Sequence, residues 1–134
     1  MKLFVTTISF FFLVSCSTNP IEEKEETIVL TYIYCETGCA NWMTIDDSEK
    51  ILNIDSANTL VENPGIFIEP ASDKLVLPDS LGFNGDVIKF TGHFHKEKGF
   101  PGGFHTDQPV EKARVFQFTS YTVITSNYSK PRGG

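Results

Sequence analysis

The chain has 134 residues, of which 40% are hydrophobic and 21% charged, and its formal net charge is −6. That acidic balance excludes nucleic acid as a partner for the body of the chain, because a polyanion is held by Lys and Arg that displace its counterions. Twelve Phe and four Tyr suit a β core rather than disorder, and the length allows one modest domain, not two.

Lys2 stands ahead of an apolar stretch over residues 3–14, the length of a signal-peptide core and too short for a helix of ~20 residues to cross a bilayer. The tetrapeptide Leu13-Val14-Ser15-Cys16 resembles the lipobox of bacterial lipoproteins. The resemblance implies removal of residues 1–15, diacylglycerol on the Cys16 thiol and a further acyl chain, such as palmitate, on its new amino group. Two or three chains at ~0.8 kcal/mol per buried methylene anchor far more firmly than one. The protein is then expected at the cell envelope, held on a bacterial membrane by lipid, with inner membrane, outer membrane and cell surface all compatible. The plainer alternative is an ordinary secretory signal with Cys16 a spare thiol.

Residues 16–26 are read as the acylated N-terminus and a flexible acidic tether, since STNPIEEKEE has no hydrophobic periodicity. Cleavage would take only Lys2 from the 11 basic residues and none of the 17 acidic ones, so the mature chain is one unit more negative. Residues 27–126 are assigned to a single β domain, and residues 127–134, with Pro131 and two Gly, to a frayed tail.

Within the domain, residues 27–34 (TIVLTYIY) give the strongest strand signal, with Ile28, Leu30, Tyr32 and Tyr34 on one face. A bend at Cys35 to Cys39 follows, and with Cys16 given to lipid these two are expected to form a disulfide, as exported domains allow. A redox dithiol or a soft-metal pair with Met43 is the less favoured reading, because the spacing is not Cys-x-x-Cys. Residues 41–45 read as a returning strand and residues 46–50 as a polar turn. Residues 51–60 are ambiguous between strand and helical turn, ahead of the Asn63-Pro64-Gly65 breaker.

Residues 65–71 read as a strand that Pro70 ends or leaves at an edge. Residues 75–78 form a short extended piece and residues 79–83 a turn. Residues 86–94 (DVIKFTGHF) are a second strong strand, in which Gly92 predicts a bulge or a close approach of backbone. Residues 96–109 form a Gly- and Pro-rich loop. Residues 113–125 make a long last strand, with Phe116, Phe118, Ser120, Thr122 and Ile124 alternating against Val115, Gln117, Thr119, Tyr121 and Val123.

The class is therefore all-β. The order of pieces, with Gly85-Asp86-Val87-Ile88-Lys89-Phe90-Thr91-Gly92 ahead of the terminal strand, resembles a small Greek-key barrel of the OB type, a β-sandwich being the alternative. That resemblance implies loops that serve as binding surfaces.

Three groups of residues are candidates for function. His93 and His95 share a strand face with Cα atoms ~6.8 Å apart, and His105 on the loop supplies a third imidazole suited to zinc or copper, with Glu97 or Asp107 adding oxygen. Against this stands the reading of solvated polar residues, which the lack of any His-Glu-x-x-His motif favours, so no cofactor is expected. Trp42 is a candidate binding aromatic or a core plug, and Phe100 and Phe104 are candidates for a mobile recognition loop. Without a Gly-x-Ser-x-Gly elbow or a poised carboxylate pair, no catalytic residue is named and an enzyme is not expected. The function read from sequence is a lipid-anchored envelope protein whose β domain binds a protein, glycan or peptide; the alternative is metal binding through His93, His95 and His105.

Overall fold

Alternating β-branched and aromatic residues build five strands that close on themselves. The computed structural model describes residues 19–35, 38–52, 64–78, 81 and 85–125. In chain order these form β1 (Glu26–Tyr32), β2 (Trp42–Thr44), α1 (Ile45–Leu52), β3 (Ile66–Pro70), β4 (Val87–Phe94) and β5 (Arg114–Thr125). The sheet is a closed barrel in the order β1-β2-β3-β5-β4, with β3 and β5 parallel and every other pair antiparallel. This is the small barrel that the sequence led us to expect, not the sandwich.

The interior is aromatic and aliphatic. Leu30, Trp42, Ile66, Ile88, Phe90, Phe116 and Phe118 are buried together, and Ile28, Tyr32, Ile68 and Tyr121 pack against them. Trp42 sits between Tyr32 and Phe90, with ring centroids at 5.2 and 5.3 Å and both contacts edge-to-face. Leu75 and Leu77, from the extended piece after β3, pack on the same cluster.

Two expectations about the elements themselves are corrected. Residues 46–50 are not a turn but the body of α1, and Ile51 and Leu52 end that helix rather than starting a strand. Its start is chemically marked: the Thr44 hydroxyl accepts from the Asp47 N–H (3.2 Å) and donates to the Asp47 carboxylate (2.8 Å), while Asp46 and Asp47 complement the helix N-terminus. The second correction concerns β5, where strict alternation fails. Thr91 pairs with Ser120 but Gly92 pairs with Phe118, so Thr119 is an extra residue in a β-bulge. Tyr121 thereby turns inward with Phe118, the rings 5.9 Å apart.

Gly92 makes that bulge possible. A Cβ on Gly92 would collide with the Gln117 carbonyl oxygen and lie 2.8 Å from the Phe118 Cα, both backbone atoms of β5. Gly92→Ala is therefore expected to strain or separate the β4–β5 ladder, costing about 1–3 kcal/mol as overpacking does. Urea unfolding of the two proteins checks this; equal midpoints would contradict the close approach.

Residues 20–26, expected in a flexible tether, are instead docked along β4. The Lys96 N–H donates to the Pro20 carbonyl (2.9 Å), and the Glu22 N–H to the Phe94 carbonyl (2.8 Å). Ile21 bridges His95 between them. The ambiguous stretch at residues 53–60 and the C-terminal tail lie outside the described residues, as do the signal and Cys16.

Candidate functional site

The outward face of β3, β5 and β4 carries both the histidines and the base of the Gly-rich loop. Strand alternation turns Ile66 and Ile68 into the barrel, which leaves Phe67 and Glu69 outside. Phe67 pairs with Val115 and Glu69 with Gln117, and Gln117 in turn pairs with His93. An apolar patch and a polar row thus lie side by side.

The apolar patch is a second core. Phe67, Val115, Ala113 and Ala40 are buried, and Phe100, Phe104 and Val110 pack over them from the loop. Phe100 and Phe104 stack with centroids 5.1 Å apart, lying 5.9 and 5.2 Å from Phe67. Pro101, Gly102 and Gly103 supply the tight turn between the two rings, Gly103 at φ +74°, and the Phe104 N–H returns to the Pro101 carbonyl (3.1 Å). Phe100 and Phe104 are thus half-buried parts of a packed flap. Trp42, only 5% exposed, belongs to the barrel core and offers no binding surface.

The polar row centres on Glu69. One carboxylate oxygen meets His95 Nε2 and, at 3.5 Å, Gln117 Nε2; the other accepts the Gly102 N–H at 2.8 Å. The side chains of Glu69 and His95 are only 13% and 6% exposed. A carboxylate taken this far from water needs such donors. It fastens the crest of the flap to β3, and no buried side-chain nitrogen or oxygen among the described residues lacks a partner.

The histidines do face outward together, as their spacing implied, yet their imidazoles serve different partners. His93 Nδ1 lies 3.0 and 3.1 Å from the Glu22 and Lys24 carbonyls, a geometry that calls for a proton on Nδ1 and ties the N-terminal segment to β4. His95 serves Glu69, and His105 is exposed on the loop. Among the described residues, no three His, Cys, Asp or Glu side chains are grouped to hold a metal ion. Glu69 was not singled out from sequence, although a lone charge inside Ile66-Phe67-Ile68-Glu69-Pro70 is itself a signal that something polar must cover that strand.

Cys35 and Cys39 are joined in a disulfide with Cα atoms 5.9 Å apart. The bend they close delivers Ala40 to the second core, and Gly38 takes φ +75° beside Thr106 of the flap. Bend and flap therefore meet over the outer face of the barrel. Comparisons with family models, with curated proteins and with solved structures return no match.

Removing the Glu69 carboxylate leaves His95 and the Gly102 N–H without their acceptor. Glu69→Ala is expected to cost about 1–3 kcal/mol for each group stranded, with amide exchange at residues 100–104 accelerated; Glu69→Gln, which keeps an acceptor, loses less. Unchanged exchange in Glu69→Ala would refute the fastening role. For the disulfide, Cys35→Ser with Cys39→Ser is expected to lower stability by about 2 kcal/mol, the chain-entropy value for so short a loop, read as a shift in Tm against the wild type with its disulfide intact.

Proposed function

We propose that the protein is a lipid-anchored component of the bacterial cell envelope, whose barrel presents a binding surface to a protein partner on the side away from the anchor. The apolar run ahead of Leu13-Val14-Ser15-Cys16 supports the anchor. The placement of exposed apolar side chains carries the binding reading. Among the described residues, the exposed large apolar side chains are Tyr34, Ile45, Val76, Val123 and Ile124.

Their positions in the register are related. Val123 and Ile124 lie near the end of β5, and Val123 pairs with Ile88, which pairs with Leu30, which pairs with Thr44, next to Ile45. Tyr34 lies just beyond β1, and Val76 lies beside Tyr121, whose hydroxyl donates to the Val76 carbonyl (3.4 Å). The N-terminal segment joins β4 at the opposite end, at Phe94 to Lys96. Val76 and Ile124 are 71% and 54% exposed, and apolar side chains gathered at one end of a barrel are what a partner would cover.

Two measurements test the proposal. Intact mass of the mature N-terminal peptide is expected to carry acyl chains on Cys16, lost in Cys16→Ser together with membrane association. Affinity capture from solubilised envelopes is expected to recover a partner with the wild type and to lose it with Val76→Asp and Ile124→Asp, both folded by circular dichroism. An unmodified Cys16 defeats the anchor, and capture indifferent to both substitutions defeats the binding surface.

A further inference from the structure

Resting on the reading of Cys16 as the acylated residue, the geometry points to a defined membrane-facing surface: the end of the barrel built from residues 20–26, 94–98 and 112–114 lies against the phospholipid headgroups. The constraint is the length of chain between anchor and fold. Among the described residues, Pro20 is the first with a backbone hydrogen bond to the barrel, through its carbonyl and Lys96 N–H. Four residue steps separate it from Cys16 and reach at most about 14 Å. Ile21, Glu22 and Lys24 are then fixed by His95, Phe94 and His93, so the domain has no long leash on which to tumble. Val123, near the far end of β5 and eight residues beyond Val115, lies about 25 Å further along the strand.

The chemistry of this end suits a headgroup layer. A cleft of about 410 Å³ beside the docked segment is lined by Lys96, Lys98 and Arg114 and by Glu22, Glu26 and Glu97. A second hollow sharing Lys98 is bordered by Asn19, Pro20 and Lys112. Arg114 is held over the Phe94 ring, 4.9 Å from its centre. Basic and acidic side chains alternate here: Lys24 lies 3.6 Å from Glu26, and Glu25 lies 4.0 Å from His93. A surface of this kind meets phosphates with its lysines and ammonium groups with its glutamates, matching zwitterionic phospholipid better than a purely anionic sheet. Contact lies within the Debye length of about 8–10 Å.

The experiment uses the full-length lipoprotein reconstituted in phosphatidylethanolamine-rich vesicles that carry a photoactivatable group on a fraction of the headgroups. Illumination and peptide mapping are expected to place several-fold more label on residues 94–98 and 112–114 than on residues 120–125. A Gly/Ser spacer of about 20 residues, inserted between Ser17 and Thr18, spans roughly 25 Å as a random coil and is expected to bring the two regions to parity. K96Q/K98Q/K112Q is expected to lose most of the label on the proximal peptides; should that variant unfold, the spacer comparison still decides with every native side chain present. Label spread evenly, or concentrated at residues 120–125, overturns the inference. The same digest reports the Cys16 peptide: without acyl mass the anchor reading falls and takes this surface with it, whereas acyl mass with even labelling removes only the orientation.

Discussion

The fold depends on how closely β4 can approach β5. At Gly92 the two backbones come within a distance that no side chain would permit, with the β5 backbone at Gln117 and Phe118 occupying the space of a Cβ. That contact lets Thr119 bulge out of register. Its consequence is a change of phase along β5, so that Phe116 and Phe118 before the bulge and Tyr121 after it all serve the same interior. Without the phase change the second half of β5 would present Ser120 and Thr122 to the core. The barrel closes around aromatic rings because one residue has none.

A five-stranded barrel of this size has little interior, and this one extends its packing to the outside. Phe67 faces away from the barrel core on the same strand that sends Ile66 and Ile68 into it. The flap, through Phe100 and Phe104, covers the patch around Phe67 that would otherwise be exposed. Apolar packing is not directional, and two stacked rings could slide over Phe67 at small cost. The Glu69 carboxylate supplies direction, since the Gly102 N–H and His95 reach it from two separate segments. Stability and position thus come from different chemistry on neighbouring residues of one strand.

Much of this was legible in the sequence. β1, β4 and β5 announce themselves by β-branched and aromatic alternation, Pro70 marks the end of β3, and Gly92 in a run of strand formers signals the close approach. The short helix α1 was hidden because Asp46-Asp47-Ser48-Glu49-Lys50 has the composition of a turn, although Thr44 with Asp47 three residues later is the pattern of a helix cap. The flap was illegible for a different reason. The partners of Glu69 lie 26, 33 and 48 residues away in sequence, and no local pattern reports a contact that only the closed barrel brings about. Trp42 and the two loop phenylalanines looked available for binding for the same reason: what covers an aromatic ring comes from elsewhere in the chain.

The histidines show how one residue pattern supports opposite chemistry. Two imidazoles on one strand face are what a metal site needs, and also what is needed to tie two neighbouring segments to that strand. His93 Nδ1 meets carbonyls of the N-terminal segment and His95 Nε2 meets the carboxylate beneath the flap, so one nitrogen of each ring joins two parts of the fold. His93 holds the N-terminal segment onto β4, while His95 ties the end of β4 to Glu69 of β3, and the first of these has a mechanical consequence. The chain from Pro20 onward moves with the barrel, so whatever holds residues upstream of Pro20 also restricts the direction in which the rest of the surface faces.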